Sequence, residues 1–113
     1  MKNAISLLVL TMTASAAITA SRFVTPAAAL AGAGVNAQGV SDTDAAIGDK
    51  FAVHALGTAI VETGAAISAG ALIETDATGR AITKAAGVTV ARLAPGEVAT
   101  AAGQFVEVIL LPN

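Results

Sequence analysis

Cysteine, tryptophan and tyrosine are all missing from this chain, and histidine occurs once. The absence of cysteine excludes a disulfide framework, a thiolate nucleophile and any cysteine-based zinc site. Charge is also scarce: 12% of residues are Asp, Glu, Lys or Arg, with a net charge of −2. The six cations (Lys2, Arg22, Lys50, Arg80, Lys84, Arg92) are scattered and form no basic stripe with interleaved aromatics, so nucleic acid is not an expected partner. The apolar run Ala4 to Met12 falls short of the roughly 20 residues a membrane-spanning helix needs, and no membrane partner is expected. Bulk is scarce too. Hydrophobic residues make up 55% of the chain, but much of that is alanine and only three phenylalanines supply aromatic area. Apolar burial stabilises at roughly 25 cal/mol per Å², and alanine contributes little of it. A single domain of 113 residues with this composition is expected to lean on an oligomer or a larger partner.

Glycine and β-branched residues are plentiful, and their order carries the pattern. From Gly48 onward, glycines recur at 57, 64, 70, 79, 87, 96 and 103. Each intervening piece has the length of a short strand, and each glycine can supply the positive φ of a tight turn. Apolar alternation supports strands at Phe51, Val53 and Ala55, at Ala59 and Val61, and at Val106, Val108 and Leu110. The clearest hairpin runs from Leu72 to Thr83. Asp76 can there accept hydrogen bonds from its own turn, and Gly79 suits the left-handed corner. "TPAAALAGAGVNAQG" reads as a turn or loop, with Pro26 starting a helical turn at Ala27 to Leu30 that Gly32 and Gly34 end. No repeat of solenoid length is present. The expected fold is all-β, a small compact sandwich or barrel of short strands.

The N-terminal segment supports two readings. Lys2, the apolar run and Ala14-Ser15-Ala16 resemble a secretory signal ending near residue 16. Read instead as a strand, the segment puts Ile5, Leu7 and Val9 on one face and Leu8, Leu10 and Met12 on the other. On the second reading, residues 1–17 form an extended arm that adds to a neighbour's sheet, and residues 18–113 form the β domain.

The reactive inventory is thin. His54 sits between Val53 and Ala55 with no nucleophile at a recognised spacing, and reads as a strand residue facing solvent or a partner. Asp42 and Asp44 lack the ligand series of a calcium loop and read as a solvated turn. Glu62, Glu74, Glu97 and Glu107 are far apart in sequence and could meet only through the fold. "GAGVNAQG" lacks the Lys-Ser/Thr of a phosphate loop. No catalytic, metal-binding or cofactor-binding residue is expected, and the chain does not read as an enzyme.

The run "NAQGVSDTDAAIGDKFAVHALGTAIVETGAAISAGALIETDATGRAI", Asn36 to Ile82, resembles the capsid cement, or head decoration, proteins of tailed bacteriophages. The matching elements are Gly39-Val40, the acidic turn Asp44 to Gly48, Val53 to Gly57, the Gly64 to Ala81 hairpin, and Ala101 to Leu110. Ile18 to Thr25 looks like that family's first strand. The chain departs from the pattern at "VTVARLAPGEVAT", where Pro95 and Gly96 interrupt it, leaving the register of Val88 to Thr100 open. The resemblance implies a structural virion protein on the outer surface of the capsid. It would bind the major capsid protein, tie neighbouring subunits together against internal DNA pressure, and assemble as a homotrimer at three-fold and quasi-three-fold positions. It implies no cofactor. The contacts to the capsid or between subunits are expected from the arm (Ile5, Leu7, Leu8, Val9, Leu10, Met12) and from the exposed loop after Pro26 (Ala28, Leu30). The rival reading is an exported bacterial surface or periplasmic β-domain that uses residues 1–16 as its signal.

Overall fold

β-branched residues favour the pleated, half-buried surface of a sheet, and every strand of this chain contains one except the Ala-Arg-Leu of residues 91–93. In the computed structural model, which describes residues 4–111, every regular element is a strand: β1 (Ser6–Thr13), β2 (Phe23–Val24), β3 (Gly39–Ser41), β4 (Lys50–Glu62), β5 (Leu72–Thr75), β6 (Ala81–Thr83), β7 (Ala91–Leu93) and β8 (Phe105–Leu110). All pair antiparallel in the order β2-β3-β4-β8-β7-β5-β6, with β1 added to β4. The ends of this path approach each other. The N–H of Phe23 donates to the carbonyl of Gly79 at 2.8 Å, and that of Gly64 to the carbonyl of Ala81 at 2.8 Å. The sheet is therefore a nearly closed barrel, as the all-β expectation required.

Closure leaves two apolar fillings. The larger holds Phe23, Val40, Val61, Ile73, Leu93, Val106 and Val108. The smaller lies beneath the β1–β4 end and holds Ala14, Ile18, Val24, Ala28, Phe51 and Val53, with Met12 packed against it. The alternation read along β4 matches this division, since Phe51, Val53, Ala59 and Val61 are all buried.

Three local expectations change. Gly57 does not end a strand; β4 runs through it with φ at +99°. "AAISA" and "EVATAA" are not strands and meet only through the isolated bridge between Ile67 and Ala99. Pro26 opens a reverse turn, not a helical one: the N–H of Ala28 donates to the carbonyl of Thr25 at 3.0 Å, and Val24 bridges Leu30. The interrupted stretch also has its register. β7 pairs with β5 and β8, and then Pro95 and Gly96 (φ +82°) form a tight turn closed by the Glu97 N–H on the Ala94 carbonyl at 3.1 Å. Proline followed by a left-handed glycine is the chemistry of a type II turn.

Candidate attachment surface

Most of the predicted contact residues lie along β1. This strand pairs with β4 of its own chain from Ser6 opposite Gly57 to Thr13 opposite Lys50. Among the described residues it has no second strand neighbour. The ladder slips twice, between Ser6 and Leu8 and between Leu8 and Val9. A slip breaks side-chain alternation, so the two tidy faces read from the sequence do not hold at this point. Leu7, Leu8 and Val9 are all exposed, Leu7 most of all at 78%, whereas Leu10 and Met12 are half-buried. The first slip lies opposite Gly57. At Gly57 a Cβ would stand 2.2 Å from the carbonyl oxygen of Ile5, so glycine alone allows β1 to close on β4 there. Beside it, the carbonyl of Ile5 accepts the N–H of Thr58 at 2.8 Å, and the N–H of Ile5 donates to Thr58 Oγ1 at 2.7 Å.

This arrangement leaves an open apolar groove of about 440 Å³ lined by Ile5, Leu7, Leu56, Gly57, Thr58, Ile109 and Leu110. A second hollow of about 250 Å³ is lined by Leu8, Leu56 and Leu111, with Asn36 and Gln38 supplying polar groups. No titratable side chain lines either one. The loop after Pro26 differs from expectation. Ala28 is only 6% exposed and belongs to the smaller core, with φ at +64°, and Leu30 packs half-buried against the same cluster. Ala28 therefore serves the inside of the protein, and the fully exposed members of the predicted set, Ile5, Leu7, Leu8 and Val9, all lie on the arm.

Polar groups hold the scaffold in shape. His54 is half-buried on β4, with Nε2 3.0 Å from Asp42 Oδ1. Asp44 accepts the N–H of Ala20 at 2.7 Å. The four separated glutamates do not converge as a set. Glu62 joins Arg22 (3.3 Å) and Arg80 (3.8 Å) across the barrel seam. Glu74 accepts the N–H groups of Ala85 and Gly87, and those bonds hold its carboxyl below the ordinary range although burial opposes them. Only Glu97 and Glu107 meet: both are buried, and the Glu107 N–H donates to Glu97 Oε1 at 2.7 Å. Among the described residues no group of three or more His, Cys, Asp or Glu could hold a metal ion, and no helix is long and apolar enough to cross a membrane.

Sequence reasoning missed Thr63. It is fully buried, donates through Oγ1 to the Ala101 carbonyl at 2.9 Å and accepts the Gln104 N–H at 3.1 Å. A threonine just past the end of a largely apolar strand gives no local sign of this, because its partners lie about forty positions away.

These features define a class: an all-β scaffold that exposes apolar strand surface, with Glu62, Glu74, Arg22 and Arg80 engaged in internal bonds. The chain belongs to the phage cement protein family, whose model matches residues 2–110. It is a capsid structural protein and a virion component, from a family that is in general non-enzymatic. Among solved structures it is similar to the head fiber gp8.5 N base in bacteriophage phi29, with a TM-score of 0.73 and 19% identity over 92% of this chain and 93% of that one. At that identity the likeness concerns the fold. No curated protein matches the chain.

Proposed function

We propose that the protein binds the outside of the phage head, joins neighbouring major capsid subunits and holds the shell against the pressure of packaged DNA. Membership of the cement family supports the role, and the observation that carries the manner of attachment is the exposed apolar strip of β1. Its first half offers Ile5, Leu7, Leu8 and Val9 to solvent beside the groove floored by Leu56 and Ile109. Contiguous apolar surface of this kind marks an interaction site. Apolar and backbone contacts hardly respond to salt, whereas exposed ion pairs are worth about 0–1 kcal/mol and are screened. Attachment is therefore apolar, and many modest sites on one shell give avidity. The arm and groove serve contacts with the capsid or between copies of a homotrimer. The rival export reading would remove Ser6–Thr13, which is a full strand of this sheet, and nothing in the fold favours it.

The test is co-sedimentation of purified protein with heads lacking it, at low salt and near 1 M salt. Equal occupancy in both supports apolar attachment, and release at high salt shows that it is ionic. A Leu7→Glu change places a charge in the strip and lowers occupancy at either salt concentration.

A further inference from the structure

Among the described residues, β1 is the one strand with no partner along a whole edge. The others have neighbours on both sides along the path from β2 to β6, and that path is joined at its ends by the Phe23–Gly79 and Gly64–Ala81 hydrogen bonds. Which groups of β1 are free follows from its pairing with β4. The Ala14 N–H donates to the Asp49 carbonyl, and the Ala14 carbonyl accepts the Gly48 N–H, both at 2.8 Å. Alternate residues of an antiparallel ladder bond to the partner strand. Leu10 and Met12 therefore bond to β4 as Ala14 does, while Val9, Thr11 and Thr13 turn their N–H and C=O groups away from it. All three outward residues are exposed. The register is unbroken from Val9 to Thr13, and this stretch has neither charge nor proline, the usual devices that keep an edge from pairing.

An open edge is satisfied by another extended strand, and the segment is self-complementary about Thr11. An antiparallel copy sets Thr11 against Thr11, Val9 against Thr13 and Leu10 against Met12. β-branched residues then face each other on the outer side, and unbranched apolar residues face each other on the inner side, as cross-strand packing favours. The nearest charges lie one strand back. Lys50 is opposite Thr13, and Asp42 is held 3.0 Å from His54, which is opposite Val9. A twofold axis at Thr11 thus brings the Lys50 end of one copy to the Asp42 end of the other. Asp49 is engaged in its own turn, where it accepts the Ala46 N–H. The edge has an end as well: at Ser15 it is taken by the Ala28 carbonyl. The register slips between Ser6 and Val9 bend the strand off this line before it would reach that loop.

We propose that β1 of a second copy pairs with this edge, antiparallel across a twofold axis at Thr11, so that the outward N–H and C=O groups of Val9, Thr11 and Thr13 in each copy bond to those of the other. Such a contact uses both open edges at once and closes. It does not depend on the cement reading, since free copies carry the same edge. It is also separate from the trimer proposed above: on a shell it joins a copy of one trimer to a copy of the next.

The chain has no cysteine, so single substitutions report the register. Thr11→Cys puts the two sulfurs beside the axis with Cα atoms about 5.5 Å apart, within the span of a disulfide. Thr13→Cys, at an equally exposed position, leaves them about 14 Å apart, beyond that span. In oxidised glutathione, Thr11→Cys should form a covalent dimer at least about tenfold faster than Thr13→Cys. Amide exchange on concentrated wild-type protein needs no variant. The N–H groups of Val9, Thr11 and Thr13 should be protected about as well as those of Leu10 and Met12, which β4 already holds. Equal cross-linking at the two positions overturns the proposal. So does free exchange at Val9, Thr11 and Thr13 even at millimolar protein. Protection of that edge on heads alone overturns it too, and would give the edge to a strand of the capsid.

Discussion

Removing the Asp76 carboxylate should open the barrel at its seam. Asp76 Oδ1 accepts the N–H of Thr78 at 2.9 Å, the N–H of Arg80 at 2.8 Å and the Thr78 hydroxyl at 3.2 Å, while Oδ2 takes Arg80 Nε at 3.1 Å. These bonds fix the turn whose Gly79 carbonyl receives the N–H of Phe23 from the other end of the sheet. In Asp76→Ala, two backbone donors lose a charged acceptor, at about 1 kcal/mol each. The partly exposed ion pair adds a few tenths. The expected loss is about 2–3 kcal/mol near neutral pH, a large share of the roughly 5–15 kcal/mol that holds a domain together. Urea unfolding at equilibrium reads it as a lowered midpoint with unchanged slope.

The pH dependence gives a second, independent readout. Burial pushes the Asp76 carboxyl up, but the N–H groups of Thr78 and Arg80, with the Arg80 guanidinium and the Thr78 hydroxyl, outweigh it and leave the group below its ordinary value. A depressed folded-state pKa contributes stability above the unfolded-state pKa, near 4, and that contribution fades as pH falls through the folded value. The gap between wild type and Asp76→Ala should therefore be full at pH 7 and narrow progressively below about pH 4. A variant within about 0.5 kcal/mol of wild type at pH 7, or a gap that stays constant into acid, would refute this account of the seam.

Glu74→Ala should lower the midpoint of a thermal or urea melt, because the Ala85 and Gly87 N–H groups lose their acceptor; since that carboxyl also lies below its ordinary range, this gap too should narrow in acid. Gly57→Ala combines a left-handed φ of +99° with a Cβ 2.2 Å from the Ile5 carbonyl, so amide exchange should speed up over residues 6–10, with a loss of about 1–3 kcal/mol; unchanged exchange there would show that β1 tolerates the methyl group. Thr63→Val keeps the shape but breaks both side-chain hydrogen bonds, and should lower stability by about 2 kcal/mol while amides 101–104 exchange faster.

What could be read from the sequence was local chemistry. Asp76 and Gly79 announce their hairpin because the side-chain acceptor and the positive φ are needed within the same few residues. The buried face of β4 follows from alternation, which depends only on spacing along one strand, whereas β8 buries Glu107 between Val106 and Val108 and escapes that reading. Gly57 reads as a turn because a glycine that turns a chain and one that admits a close strand contact look alike in sequence. The difference is set by the Ile5 carbonyl, which reaches it from about fifty positions upstream. Ala28 reads as a surface residue for a similar reason, since its burial depends on β1 and β4 folding over it. The arm is legible as an apolar strand, but its register slips are not: the first lies at that Gly57 contact and the second where Ala55 is left without a partner between Leu56 and His54. The meeting of Glu97 with Glu107 and the role of Thr63 depend on long-range pairing, and no composition or period records them.

The central claim is mechanical, and it is tested most directly by heating. DNA-filled heads, with and without this protein, are warmed through a ramp while exposed DNA is followed with a dye. The account predicts that decorated heads release their DNA at a higher temperature, because a ligand that binds only the intact shell stabilises it by linkage. It also predicts that the difference persists near 1 M salt. Equal release temperatures for bare and fully decorated heads would contradict it.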